Sequence, residues 1–398
     1  MASIAEIQNV LGKAGLDGWL FYDFRLSDPI AYRVLGLSQD GATTRRWFCF
    51  VPARGTVRPL VSAVEAHRLE ALGVEPTVYR SYSQMVAALR AILGPARRIA
   101  MNYSPRGAIP YVSRVDGGTL ELVQSLGVEV VSSADLVQAF EARLSAEQFA
   151  GHRRAGAALG RVVDESFAEI ARQVRAGVSP TEFEIQQFMM ARIAAAGLAT
   201  AEPPIVAVNA HSADPHYGPT ARNASRIHKG DFVLLDLWAK EQTPDSAYAD
   251  ITWTGFVGEK VPAEHARIFE IVARARDAAV ELIKARVDDG ATIHGHEADR
   301  AAREVIAQAG FADHFVHRTG HSIGREVHGM GANLDSLETE DSRMLIEGTC
   351  FSVEPGIYLP GRFGVRSELD MTIENGRAEV SAPEPQRAIV AILDGYRS

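Results

Sequence analysis

The segment Gly230-Asp231-Phe232-Val233-Leu234-Leu235-Asp236-Leu237-Trp238 reads as a buried strand with a carboxylate in its middle. A buried aspartate is costly unless it is paired or bound to a cation, so the fold has to supply one or the other. A second strand, Tyr248-Ala249-Asp250-Ile251-Thr252-Trp253-Thr254, follows the turn-rich link Thr243-Pro244-Asp245-Ser246. A hairpin centred near Thr243 places Asp236 opposite Asp250. It also puts Asp236, Trp238, Tyr248, Asp250 and Thr252 on one face, because strand side chains alternate. Two adjacent buried carboxylates repel, and a dication is the simplest remedy. The plain alternative is an exposed hairpin with two solvated aspartates.

Charge recurs on later strands. In Gly364-Val365-Arg366-Ser367-Glu368-Leu369-Asp370-Met371-Thr372-Ile373, the residues Val365, Leu369, Met371 and Ile373 face one way. Arg366, Glu368, Asp370 and Thr372 face the other. Inside an α/β core such a face suggests a site; otherwise it is a solvated face. Glu354 ends the apolar run Cys350-Phe351-Ser352-Val353, just before Pro355-Gly356. Of twelve histidines, only His67 and His152 precede residue 200, which raises the expectation of a site in the second half. Three of the others fall in His317-Arg318-Thr319-Gly320-His321-Ser322-Ile323-Gly324-Arg325-Glu326-Val327-His328. The glycines argue for irregular backbone or strand, and Arg318 stands where a helical zinc motif has its glutamate. The imidazoles are metal ligands, or the segment is a glycine-rich surface loop. Two Asp, two Glu and at least one His are too anionic for a single structural zinc. Oxygen-rich ligation suits manganese or another hard dication. Enough bridging carboxylates are present for two ions, spaced ~3.5–4 Å as in two-metal hydrolases.

Composition narrows the partners. The net charge of −9 lacks the basic excess of a nucleic-acid binder. No apolar run approaches the ~18 residues that span a bilayer. The N-terminus shows neither a basic nor an apolar signal region. Cys49 and Cys350 lie too far apart in sequence to suggest a disulfide framework, so a cytoplasmic protein is expected. A chain of 398 residues exceeds one ordinary core, so two domains are expected. Residues 1–144 read as α/β, with strands at 18–22, 47–51, 58–61 and 98–101 and helices at 63–72 and 83–93. The capping box Ser145-Ala146-Glu147-Gln148 opens the second domain, 145–398. Ser179 caps a helix that ends at Gly197, and further helices are expected at 262–286 and 296–309. Strands are expected at 231–239, 247–257, 349–354 and 363–373.

The ordered set Asp236, Asp250, His321, Glu354, Glu368 resembles the five-ligand signature of the pita-bread dinuclear metallopeptidases, which include methionine aminopeptidase, aminopeptidase P and prolidase. Asp214-Pro215-His216-Tyr217 is similar to the segment that carries a substrate-facing histidine in the proline-peptidase branch. The run from Gly320 to His328 is similar to that branch's Gly-His-x-x-Gly-x-x-x-His element. Ser352-Val353-Glu354-Pro355-Gly356-Ile357-Tyr358 and Gly364-Val365-Arg366-Ser367-Glu368 resemble its two glutamate strands. The resemblance spans about residues 145–398, and the first half is compatible with the accessory domain of creatinase, aminopeptidase P and prolidase.

This resemblance implies an α/β accessory domain followed by an α+β pita-bread catalytic domain. Asp236 would chelate one ion, Asp250 and Glu368 would bridge two, and His321 and Glu354 would hold the second. Glu354 would also exchange protons with the nucleophile. His216 and His328 would contact the substrate and stabilise the tetrahedral intermediate, and His317 would line the pocket. Arg366 would orient the metal ligands, and Arg343 or Arg366 would hold a substrate carboxylate. The ions would be Mn²⁺, with Co²⁺ or Zn²⁺ as alternatives, and the protein a homodimer. The implied substrate is a proline-containing di- or oligopeptide. Chain size favours an Xaa-Pro dipeptidase over an aminopeptidase P. A metal-free creatinase-like amidinohydrolase and a non-catalytic pita-bread module are further alternatives, but both lose ligands that this chain keeps.

Several positions depart from the family pattern. Leu237-Trp238-Ala239 stands where glycine usually follows the first aspartate, Trp253 replaces an arginine, and the link between the two aspartates is long. Gly329 and Leu369 stand where acidic residues are common. These departures bear on pocket shape and leave the ligands intact.

Overall fold

The computed structural model describes residues 3–381 and 383–396, and in it each apolar run of the first half becomes a strand of one mixed sheet. Across that six-stranded sheet the order is Thr77–Tyr79, Arg58–Ser62, Trp47–Pro52, Gly18–Asp23, Arg98–Met101, Glu129–Ser132. The helix expected at 83–93 forms as Tyr82–Leu93 and turns Met85, Leu89, Ile92 and Leu93 inward at helical spacing. Ser81 caps it by accepting the Gln84 N–H. The helix expected at 63–72 does not form. Two short 3-10 turns, Ala63–Glu65 and Glu70–Leu72, stand there instead. Helical spacing needs a face to bury, and here Leu69 is buried while Val64 is 65% exposed.

The chain divides into two units, Met1–Glu141 and Ala142–Ser398. In the second, helix Ala146–Arg175 opens with the Ser145/Gln148 capping box. The next helix, Glu182–Ala195, is capped by Thr181 rather than Ser179. Thr181 closes a reciprocal box with Glu184, whereas Glu182, three residues after Ser179, is drawn into the interior. Ser179 Oγ instead meets His228 Nδ1 at 2.8 Å. Gly197 follows this helix at φ +75°, a left-handed position suited to glycine.

These two helices cover one side of strands Phe232–Glu241 and Ala249–Phe256. A second pair, Ala263–Asp288 and Gly295–Gln308, covers strands Cys350–Val353 and Leu369–Glu374 and the hairpin Gly356–Leu359/Phe363–Arg366. Strand Phe232–Glu241 serves both cores. Val233, Leu235, Leu237 and Ala239 join the first; Phe232 and Leu234 join the second. Asp236 is next in that second row, so alternation delivers a carboxylate into the layer between the cores.

The strand expected at 363–373 is split into Phe363–Arg366 and Leu369–Glu374, with Ser367 and Glu368 between. Its charged face is buried throughout: Arg366, Glu368, Asp370 and Thr372 are each 4% exposed or less. That disposes of the solvated-face reading. No helix among the described residues is long and apolar enough to cross a membrane.

Close backbone approach fixes one edge of this layer. A Cβ on Gly320 would lie 1.9 Å from the Ser352 carbonyl oxygen. Gly320→Ala must therefore push two buried strands apart, and we expect a loss of about 1–3 kcal/mol, the usual cost of overpacking. An unchanged urea midpoint would show that the contact relaxes freely.

Candidate metal centre

The site begins with the hairpin register. Asp236 pairs with Thr252 and Asp250 with Trp238, so the hairpin is centred one residue beyond Thr243. The expected direct opposition of the two aspartates is thus corrected to a diagonal one on the same face. Diagonal neighbours stand ~7–8 Å apart, somewhat less at Cβ, against ~5 Å for a direct pair. The wider spacing leaves room for a cation between the carboxylates.

His321 enters from the edge of the short strand Ser322–Ile323, its N–H donated to Ser352 Oγ at 3.0 Å. Its Nδ1 lies 3.2 Å from the Ser322 carbonyl, which places the proton there. The Nε2 lone pair then faces Asp250 Oδ2 at 3.6 Å and Glu354 Oε1 at 3.4 Å. Asp250, His321 and Glu368 each offer one donor atom, all within 4.8 Å of one another.

Neighbouring polar groups hold the other carboxylates. Arg366 pairs with Asp236 and also donates to Thr252 Oγ1 at 3.1 Å, Tyr358 Oη at 3.2 Å and the Pro215 carbonyl at 3.3 Å. Thr252 Oγ1 in turn donates to Glu368 Oε2 at 2.7 Å. Ser352 Oγ donates to Glu354 Oε1 at 3.1 Å. Asp250 Oδ1 and Glu368 Oε1 are buried with no hydrogen-bond partner among the described residues.

Electrostatics point the same way. Burial, and then Asp236 and Glu354, push the Asp250 carboxyl well above its usual range. Burial, and then Asp250 and Glu354, do the same to Glu368. Burial keeps His321 neutral by lowering its pKa, and pushes His317 down to about 3. Four carboxylates face one guanidinium, two carboxylate oxygens are bare, and one imidazole lone pair is aimed among them. That arrangement fits hard divalent cations held by oxygen ligands and a neutral histidine.

The residues expected on the substrate side divide. His328 is exposed, its ring edge-on to His321 with centroids 4.3 Å apart. His216 is also exposed, and it lies near enough to His328 to add, after burial, His321 and Arg318, to the lowering of that group's pKa. His317 is tied inward, Nε2 to Tyr358 Oη and Nδ1 to the Arg318 carbonyl, both at 2.7 Å. Arg343 is not offered to a ligand. It is buried, forked onto Asp341 at 2.7 and 3.0 Å, and donates to the Met330 carbonyl at 2.8 Å. The expectation that it reaches the pocket gives way to a role fixing its own loop.

Sequence reasoning missed three contributors. Tyr358 joins His317 to Arg366, and Thr252 links Arg366 to Glu368. The charge of Arg318 reaches His317, His321 and His328. Thr252 was visible as a face-mate of Asp236. Arg318 and Tyr358 lie within the histidine and glutamate motifs, but nothing in the sequence assigned them these partners.

A pH dependence follows. In metal-free protein, Asp250 and Glu368 keep protons that the unfolded chain releases at ordinary carboxylate pKa values. Their contribution to stability therefore falls as pH rises through the raised folded values. A divalent ion removes that penalty. The gain in thermal midpoint on adding Mn²⁺ to chelated protein should grow from about pH 5 to about pH 8. A gain that shrinks toward alkaline pH would contradict this account of the two carboxyls.

Residues 151–375 match metallopeptidase family M24. A probable dipeptidase, PepE, of Mycobacterium bovis is 33% identical over 264 residues, 66% of this chain and 64% of that protein. An Xaa-Pro dipeptidase of Pyrococcus furiosus is 38% identical over 182 residues, 45% of this chain and 47% of that protein. These matches thus span less than two thirds of either relative. The crystal structure of dipeptidase PepE from Mycobacterium ulcerans is similar across 98% of this chain and 96% of that one, with a TM-score of 0.71 at 26% identity. The fold is accordingly the pita-bread fold, preceded by an N-terminal α/β domain.

Proposed function

We propose that this chain, which belongs to metallopeptidase family M24, is an Xaa-Pro dipeptidase. Residues 145–398 form its catalytic domain and 1–144 an accessory domain. The observation that carries the reading is the buried donor set, with two bare carboxylate oxygens beside the His321 lone pair. Asp236, Asp250, His321, Glu354 and Glu368 would hold two divalent ions, and the oxygen-rich set favours Mn²⁺. When bound, the ions supply Lewis acidity, polarising the scissile carbonyl and acidifying water.

The chain's own residues do the rest. Arg366 fixes Asp236, and Thr252 fixes Glu368, so the ligands are oriented before the ions arrive. Glu354 is the proton-exchanging group: its side chain is 14% exposed, against 10% for Asp236 and 6% for Asp250, so it opens most to the cavity. His216 and His328 flank the mouth and offer N–H donors to an oxyanion developing on the substrate carbonyl. The bond before proline has no N–H, so its recognition rests on the carbonyl side and on the two chain ends. Arg343 is turned onto Asp341 and so is not offered to the free carboxylate of the dipeptide. The dipeptidase names of the two relatives support the short substrate.

The test compares Xaa-Pro with Xaa-Pro-Yaa peptides, with Mn²⁺ and after chelation. We expect the dipeptide to be preferred and chelation to abolish turnover. Glu368→Ala should lose both metal and activity. His216→Ala should keep its metal and lose about tenfold to a thousandfold in kcat, the range for removing one acid–base or oxyanion group. Full activity in a demonstrably metal-free sample would sink the metal reading, and faster cleavage of tripeptides would move the assignment to an aminopeptidase P. Equal metal loss in both variants would remove His216 from the substrate side.

A further inference from the structure

Asp250 differs from the other carboxylates in how it is held. Asp236 has the Arg366 guanidinium, Glu354 has the Ser352 hydroxyl and Glu368 has the Thr252 hydroxyl. Among the described residues no side-chain donor holds the Asp250 carboxylate, and its Oδ1 is bare. Its position is set through its main chain.

The main chain needs help at that point. The Asp250 N–H points away from strand Phe232–Glu241. On that side, among the described residues, strand Ala249–Phe256 pairs with another strand only at Gly255 and Phe256, opposite Val390 and Ala391. A buried N–H without a strand partner must find a side chain. It donates to Asp370 Oδ2 at 2.8 Å. Asp370 lies on the buried charged face of Leu369–Glu374, 1% exposed; its Oδ1 has no hydrogen-bond partner among the described residues, but it stands outside the cluster of Asp250, His321 and Glu368 and belongs to none of the metal-ligand assignments. Its own carbonyl accepts the Ser381 N–H at 2.9 Å. The Ser381 hydroxyl meets His152 Nε2 at 2.8 Å, and His152 Nδ1 donates to the Tyr248 carbonyl at 2.6 Å, two residues before Asp250. His152 is fully buried, an expensive place for an imidazole unless both nitrogens are used, as they are here. The ring closes: Asp250, Asp370, Ser381, His152, Tyr248.

We propose that Asp370, supported by Ser381 and His152, is the positioning residue for Asp250. The ring locks the start of the strand so that the bare carboxylate meets the cation site without a side-chain partner of its own. The proposal rests on the reading of Asp250 as a metal ligand, and the experiment separates the two.

The experiment is calorimetric titration of chelated full-length protein with Mn²⁺ alone, alongside thermal midpoints. Asp370→Ala should weaken the tighter Mn²⁺ site about tenfold to a hundredfold, the range for removing a group that orients a ligand. Asp370→Asn keeps an oxygen that accepts the Asp250 N–H and should restore affinity to within about threefold of wild type, because the hydrogen bond and not the charge does the work. Wild-type Mn²⁺ affinity in Asp370→Ala would overturn the proposal, and so would an Asp370→Asn protein as weak as the alanine variant. A merely structural role would lower the thermal midpoint and leave affinity in the folded fraction unchanged, which also overturns it. If Asp370→Ala fails to fold, Ser381→Ala opens the ring without leaving a bare N–H at Asp250. Weaker Mn²⁺ binding there supports the proposal, and unchanged binding overturns it. Asp250→Asn is the control. Unchanged Mn²⁺ affinity in that variant would overturn the metal-site reading itself, while loss there with none in Asp370→Ala overturns only the positioning role.

Discussion

The second unit is organised around the ion pair between Arg366 and Asp236, buried where two strand layers meet. One guanidinium joins four segments of chain. It reaches the first aspartate strand, Thr252 on the second, Tyr358 on the hairpin and the Pro215 carbonyl of the loop that carries His216. A buried pair of this kind gives little net stability, because desolvation offsets the Coulomb gain. Its value is geometric. It fixes Asp236 while leaving the neighbouring carboxylates short of counter-charge. Asp250, Glu354 and Glu368, once ionised, would carry more negative charge than one arginine can balance, which is why Asp250 and Glu368 hold their protons without a cation and why a cation site is the physical outlet.

Much of this was legible because strands alternate. The alternation of Val365, Leu369 and Met371 with Glu368 and Asp370 put those two acids on one face, and the hairpin put Asp236 and Asp250 on another shared face. Parity survived the error in hairpin centre, which is why the face was right while the direct pairing of Asp236 with Asp250 was not. Helix starts were readable where a reciprocal box existed, at Ser145 and Gln148. They misled at Ser179, because nothing local reveals that Glu182 accepts the Val208 and Ser225 N–H groups at 2.7 Å and so cannot serve a cap. The stretch at 63–72 failed for the converse reason: its spacing was helical but it had no partner surface.

Arg343 marks the limit of reading loops. Its place between His328 and Glu354 made it a reasonable carboxylate binder, and the sequence even prints its partner two residues earlier. Yet an Asp-x-Arg pair on an exposed loop looks the same as one folded inward. Only the buried geometry, with Asp341 also accepting the Asn333 N–H at 2.9 Å, shows that both charges organise the loop.

The same comparison separates the acids of this unit by use. Asp299 accepts from Thr319 and Ser336, backbone and hydroxyl alike, and Asp335 from the N–H groups of Leu337, Glu338 and Thr339. Glu182 takes four donors, including Tyr217 Oη at 2.6 Å and His211 Nδ1 at 2.9 Å. These carboxylates are saturated, and each freezes a loop that lies beside the metal ligands or the exposed histidines. Asp250 and Glu368 are as deeply buried but keep bare oxygens. Burial alone therefore does not mark a ligand: Asp250 and Glu368 combine a bare oxygen with a donor atom clustered within 4.8 Å of His321, whereas Asp370 also has a bare Oδ1 but stands outside that cluster. A chain can afford those bare oxygens only if the surrounding loops cannot collapse onto them, which is what the saturated acids prevent. The rigid frame and the reactive centre are thus built from the same residue types, and their difference lies in how many N–H and O–H groups the fold sends to each.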